Sequence, residues 1–189
     1  MQALPRSGFL PPNQRRHADR DAPLPIGHGQ TNSQPTTVRQ MLELLDVRPG
    51  DRVLDVGSGS AWSTALLAHL TGPTGQVTGV ERVPDLVASG AAHLEATGMP
   101  WAHVEEAVPG QLGHQAHAPY DRILVSAQAD ELPDELVAQL ATDGVLVVPV
   151  AGRMLRVVAR EEGTAVEEHG WYRFVPLVTD PPRGPAQPV

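Results

Sequence analysis

Asp55-Val56-Gly57-Ser58-Gly59-Ser60 sits between a strand-like run, Arg52-Val53-Leu54, and a helix-like run, Ala65-Leu66-Leu67-Ala68. Glu81 ends the next strand-like run, Gln76-Val77-Thr78-Gly79-Val80. Small residues at a strand-to-helix turn let the backbone approach a ligand, and the helix start offers free N–H groups. A carboxylate at the end of the second strand can accept from two ribose hydroxyls. The chemistry written here is adenosine binding. The plainer alternative is turn and cap chemistry, with Arg82 a solvated or ion-pairing neighbour of Glu81.

Two adenosine ligands compete for that turn. A dinucleotide fingerprint, G-x-G-x-x-G, needs its third glycine at position 62, where the chain has Trp62. An indole there is expected to hold helix and strand apart where a pyrophosphate must enter. Asp55, two residues before the first glycine, fits D-x-G-x-G instead, the turn with which methyltransferases cup S-adenosylmethionine. That ligand has no pyrophosphate.

The elements that must position these residues alternate. The pattern predicts a helix with apolar positions Val38, Met41, Leu42 and Leu45, and helices at about 61–71, 84–97 and 133–141. Strands are predicted at the run before the turn, 76–81, 101–105, 120–126 and 144–150. Such alternation marks an α/β, doubly wound, Rossmann-like sheet. The chain then changes character: Met154 to Ala159 and Ala165 to Leu177 read as two strands without a helix between them, an antiparallel C-terminal hairpin. Residues 1–22 read as a partly ordered N-terminal extension, 23–178 as the catalytic domain, and 179–189 as a disordered tail.

The bulk numbers exclude several classes. Lys+Arg 14 against Asp+Glu 22 gives a net charge of −8 with no basic cluster, so no nucleic-acid footprint is expected. Lysine is absent, which removes Schiff-base and lysine-nucleophile chemistry. The cysteine count of 0 removes disulfides, thiolate metal sites and cysteine nucleophiles. Neither a signal peptide nor a membrane span can be drawn, so the reading is cytoplasmic and without a membrane partner. A monomer is expected, although no residue pattern fixes the oligomeric state. His114 and His117 lie three apart in an expected loop with no third ligand close in sequence. They read as surface residues, and no metal site is expected.

A second feature is the polar, glycine-hinged segment Ile26-Gly27-His28-Gly29-Gln30-Thr31-Asn32-Ser33-Gln34, closed by Pro35. It reads as a loop through 26–37 able to fold over a pocket, with hydroxyls and amides suited to a carboxylate. An ordinary helix-entry turn capped by Ser33 or Thr36 is the bland alternative.

Here the chain resembles the protein-L-isoaspartate O-methyltransferase family. The resemblance is carried by Pro23-Leu24-Pro25-Ile26-Gly27-His28-Gly29-Gln30-Thr31, by Ser33-Gln34-Pro35 and by Pro49-Gly50-Asp51-Arg52-Val53-Leu54 with the glycine turn. It continues through Val80-Glu81-Arg82-Val83-Pro84-Asp85-Leu86, Ala118-Pro119-Tyr120-Asp121-Arg122-Ile123, Leu132-Pro133 and Arg173-Phe174-Val175-Pro176-Leu177. It covers about residues 9–178.

The resemblance implies an S-adenosyl-L-methionine-dependent methyltransferase sheet that methylates the carboxylate of L-isoaspartyl residues in proteins and peptides, a repair reaction. It implies Ser33 as the catalytic serine, and Ile26, His28, Gln30, Thr31, Val175 and Pro176 on the substrate side. Asp55, Gly57, Ser58, Gly59, Ser60, Glu81 and Arg82 fall on the cofactor side. Four positions depart from the family: Asn32 replaces an apolar residue, Ala61 and Trp62 replace glycine and tyrosine, and Pro109 replaces an aspartate expected to accept from the adenine amine. Glu105 or Glu106 is the available substitute. The helix the family places before residue 9 is also missing. These departures keep open a dedicated peptide aspartate as substrate, or a cofactor-binding homologue without turnover.

Overall fold

The computed structural model describes residues 3–179, so the tail expected to be disordered, from residue 180 on, lies outside the described residues. A seven-stranded sheet forms the centre, fed by strands β3 (Arg52–Val56), β4 (Gln76–Glu81), β5 (Ala102–Glu106), β6 (Tyr120–Val125), β7 (Leu140–Val150), β8 (Arg153–Ala159) and β9 (Thr164–Trp171). Their spatial order is β5-β4-β3-β6-β7-β8-β9. The five from β5 to β7 are parallel, and β8 and β9 return antiparallel. From β3 the chain winds outward through β4 to β5, then crosses back to place β6 on the other flank of β3. That reversal opens a crevice at the carboxyl ends of β3 and β6, where α/β sheets bind ligands.

Alternation along β3 shows how the sheet is buried. Val53 joins a cluster with Phe9, Val38, Met41, Trp62 and Leu67, under helices α1 (Pro35–Leu45), α2 (Trp62–Thr71) and α3 (Pro84–Glu95). Leu54 joins Val80, Ile123, Leu146 and Leu136 on the opposite face. Leu136 comes from α4 (Asp134–Val137), which is a single turn where 133–141 predicts two. Gln139, 1% exposed, ends it: its amide donates to the carbonyls of Glu135 (2.9 Å) and Leu112 (2.8 Å), and Leu140 already belongs to β7.

The segment 26–37 is not a plain loop. Leu24–Gly27 (β1) and Gln30–Asn32 (β2) form an antiparallel hairpin. His28 (φ 53°) and Gly29 (φ 72°) both occupy the left-handed region, as a tight two-residue hairpin turn requires. Helix α1 follows, and its cap comes from neither Ser33 nor Thr36. Asp21 accepts from the Thr36 N–H (2.9 Å), the Thr36 hydroxyl (2.8 Å) and the Gln34 amide (3.1 Å). These bonds hold its carboxyl below the usual range.

The predicted last strand stops early. β9 ends at Trp171, still paired with Arg153 past an irregularity at Gly170 (φ 65°), and the stretch through Leu177 meets Gln128 instead.

Candidate active site

The glycine turn lies at the crevice. Gly57 and Ser58 donate to the Val80 carbonyl at 2.9 and 3.2 Å, tying the turn to β4. Gly59 is at φ 55°, and a Cβ there would meet Ile26 Cδ1 at 3.1 Å, so the β1–β2 hairpin closes directly over the turn. Ala61 adopts the same left-handed conformation at φ 68°, a strain glycine would not carry.

Asp55 is fully buried. Its Oδ2 accepts from the Ser63 and Thr64 hydroxyls, both at 2.7 Å, and Ser126 reaches Oδ1 at 3.4 Å. Burial raises its pKa to about 6, against the opposing pull of these hydroxyls. The carboxyl therefore anchors the first turn of α2 from below and offers no surface to a ligand.

Glu81, 7% exposed, takes three main-chain donors. Oε2 accepts from Gly59 N–H (2.9 Å), and Oε1 accepts from Arg82 (2.7 Å) and Val83 (3.0 Å). A carboxylate has about four lone-pair positions, so acceptor capacity remains. The Arg82 guanidinium turns to the Val178 carbonyl at 3.2 Å. Ser58 Oγ is buried without a hydrogen-bond partner. Together with the Gly59 approach, an orphaned hydroxyl in the turn fits a polar ligand in this crevice.

Between hairpin and turn lies a cavity of about 30 Å³, room for roughly one water molecule. Thr31, Asn32 and Ser33 line one side, and Gly57 to Ser60 with Ser126 line the other. The Ser33 and Thr31 hydroxyls make no hydrogen bond among the described residues, and both side chains are half-buried.

Other expected site residues stand apart from that cavity. His28 reaches Asp85 of α3 at 3.2 Å, and Gln30 sits at the hairpin turn. Val175 and Pro176 lie beside Gln128: Gln128 N–H donates to Val175 O (2.8 Å), and Leu177 N–H donates to Gln128 O (2.7 Å). With that side used and no N–H on Pro176, the outer side offers a carbonyl rather than a full ladder.

Arg6 is the residue sequence reasoning missed. It is 5% exposed, and its guanidinium donates to Asn32 Oδ1 (2.6 Å) and to the carbonyls of Asn32 (2.8 Å), Ser33 (2.9 Å), Ala22 (2.9 Å) and Arg20 (3.1 Å). Asn32 in turn donates to Ser60 Oγ at 3.1 Å. Burial lowers the Arg6 pKa to about 10, opposed by Asp21. A polar Asn32 where an apolar residue was expected was the one available signal. Asn32 is thus bonded on both sides while it lines the cavity. The same contacts correct one expectation. Trp62 does not wedge α2 from β3: its indole donates to the Leu4 carbonyl (3.1 Å), and the Arg6 guanidinium lies 5.6 Å from its ring centre.

Pro109 is exposed beside the carboxyl end of β4, where Ala107 N–H donates to Glu81 O (2.8 Å). Glu106 pairs in register with Glu81, whereas Glu105 faces the other side of the sheet and is held by His103 (2.9 Å) and His114 (2.8 Å). The two histidines read as surface residues are corrected as well. His114 is 9% exposed, His117 stacks on it at 4.2 Å, and β5 supplies the neighbours that sequence spacing hid.

A mostly parallel sheet, with a glycine turn, a buried aspartate and a strand-end glutamate at its switch point, has the make-up of a Rossmann-like methyltransferase. The family is resolved by comparison. The model of protein-L-isoaspartate(D-aspartate) O-methyltransferase matches residues 1–181, and the chain belongs to that family. A protein-L-isoaspartate O-methyltransferase of Aeropyrum pernix is 47% identical over 166 residues, covering 87% of this chain and 63% of that protein. One from Methanopyrus kandleri is 42% identical, covering 94% and 81%. Among solved structures, a Plasmodium falciparum chain described as a protein-L-isoaspartate O-methyltransferase in complex with S-adenosyl-L-homocysteine superposes with a TM-score of 0.84. It is 26% identical, with 95% of this chain and 88% of that chain covered. Among the described residues, no helix is long and apolar enough to cross a membrane.

Proposed function

We propose that the chain transfers a methyl group from S-adenosyl-L-methionine to the free carboxylate of an L-isoaspartyl residue in a protein or peptide. The observation that carries this reading is the shared cavity: Thr31 and Ser33 line one side of it and the glycine turn lines the other.

S-adenosyl-L-methionine would supply an activated methyl on a sulfonium. Gly57, Ser58, Gly59 and Ser60 would hold its amino-acid end and Glu81 its ribose, while Asp55 works indirectly by fixing α2. Arg82, tied to Val178, borders the site without entering it. Glu106, in register with Glu81, is the acceptor best disposed to stand in for an aspartate at Pro109.

The substrate carboxylate is ionised at neutral pH and needs no base. Ser33 and Thr31 would fix it by donating to one oxygen, leaving the other free to attack the methyl carbon. The carbon–sulfur bond breaks as the ester bond forms, and no proton moves. Opposite charges disappear in the step, so the cap of Ile26 over Gly59 favours it by excluding water. Alignment alone lowers such barriers by up to about 7–11 kcal/mol. His28, Gln30, Val175 and Pro176 border the outer substrate path, where the Pro176 carbonyl can take one main-chain N–H.

The test is methyl transfer to an isoaspartyl peptide against its normal-aspartyl twin. Methylation of the first alone is expected, and Ser33→Ala should lower kcat/KM for it while leaving cofactor Kd within about twofold. Equal methylation of both peptides, or none, would overturn the reading.

A further inference from the structure

On the sheet face away from α2 and α3, three imidazoles and one carboxylate meet outside the methyl-transfer cavity. His103 and Glu105 alternate along β5 and so project from the same face. His114 and His117 arrive from the segment before β6. One donor atom each from His103, Glu105 and His117 lies within 4.8 Å of the other two. Glu105 Oε1 is 2.9 Å from His103 Nε2, and Oε2 is 2.8 Å from His114 Nε2.

The surroundings are those of a held ligand set. The His114 main chain is fixed twice: its N–H donates to Gln139 Oε1 (2.9 Å), and its carbonyl accepts from the buried Tyr120 hydroxyl (3.0 Å). Nδ1 of His114 and Nδ1 of His117 are both buried without a partner. Arg52 approaches the segment through the His117 carbonyl, at 3.3 Å. Thr78 Oγ1 lies 3.3 Å from His103 Nε2.

We propose that His103, Glu105 and His117 form a binding site for a divalent transition metal of the zinc class, with His114 as the residue that orients Glu105. Two imidazoles and a carboxylate are a donor set zinc takes readily, and a water would complete a tetrahedron. Bonds of about 2.0–2.2 Å to such ligands require donors somewhat closer than they stand here, a change within reach of side-chain rotation. A carboxylate whose second oxygen accepts from an imidazole is the outer-shell arrangement that tunes metal ligands. The bound ion would clasp β5 to the segment 112–118, whose upstream turn carries Pro109 beside Glu81. The site does not depend on the methyl-transfer reading, because none of its residues lines that cavity.

The experiment is a calorimetric titration of zinc chloride into the full chain, stripped with EDTA and free of any histidine tag. One zinc per chain is expected, together with a melting temperature that rises on loading. His103→Ala and His117→Ala should each weaken zinc by more than about 100-fold, and His114→Phe by about tenfold, the size of an outer-shell effect. His69→Ala, an exposed histidine on α2, should bind zinc as the wild type does. Glu105→Gln keeps the side-chain shape but removes the charge; it should weaken zinc while circular dichroism stays unchanged, which separates loss of a ligand from loss of fold. Absence of zinc binding by the wild type, or binding unaltered in the folded His103, Glu105 and His117 variants, would overturn the proposal and leave a hydrogen-bonded polar cluster only.

Discussion

Glu81 holds the turn and, on our reading, the ribose with one carboxylate, and the two tasks can be separated. Glu81→Gln loses the charge and keeps only one of the two oxygens that Gly59, Arg82 and Val83 share as acceptors. It should weaken S-adenosyl-L-methionine by roughly tenfold, the size of one charge-assisted hydrogen bond, with a small loss in melting temperature. Glu81→Ala should cost both affinity and stability, because Gly59, Arg82 and Val83 lose their acceptor. Calorimetry beside thermal melts distinguishes the pair. Asp55 carries a pH dependence. Its folded pKa, about 6, stands above the unfolded value near 3.8, so the native state holds the proton more tightly. The stability this gives is present below pH 4 and is lost as pH rises through 6, on the order of 3 kcal/mol in all. Asp55→Asn, which stays neutral, should remove that fall. In urea titrations the difference between variant and wild type should grow from pH 4 to pH 7.

The β1–β2 hairpin owes its position to a guanidinium from outside it. Arg6 fills five acceptors, four of them main-chain carbonyls. Arg6→Met keeps the apolar stem but leaves those acceptors bare. We expect a loss of about 2–4 kcal/mol in chemical denaturation, and a peptide KM that rises more than the cofactor Kd. A proportional change in both would mean that the strap supports the whole crevice rather than the hairpin. This element was the least legible in the sequence. Two short strands give no period to read, and a lone arginine near the start of the chain announces no partner 26 residues away. The buried strands were legible for the opposite reason: runs such as Val145-Leu146-Val147-Val148 have one physical use. The fourth helix was over-read because Gln139, a polar residue at a helical spacing, closes the turn with its own side chain.

Across the whole molecule, alternation announced a doubly wound sheet but not its order β5-β4-β3-β6-β7, which only the structure supplies. The glycine turn and Glu81 were readable as a pair because each ends a strand-like run. The histidine cluster was not, because its members come from segments that only the lateral packing of β5 brings together. Net charge acts at this scale as well. A chain of −8 repels an anionic peptide before any contact forms. For isoaspartyl peptides matched except for flanking charge, kcat/KM should rise with added salt when the flanks are acidic and fall when they are basic. Parallel salt responses would show that the local field at the crevice outweighs the net charge.

Helix α1, directly behind the hairpin, is fastened by the last strands of the chain. Tyr172 donates to Gln40 Oε1 at 3.0 Å, and Arg156 donates to the Leu44 carbonyl at 2.9 Å. These contacts span 132 and 112 residues. A chain emerging from the ribosome can therefore assemble β3, β4 and the glycine turn long before α1 is secured. On the proposed reading, the half that takes the cofactor can mature early, while the half that presents the peptide waits until Arg156 and Tyr172 have been made.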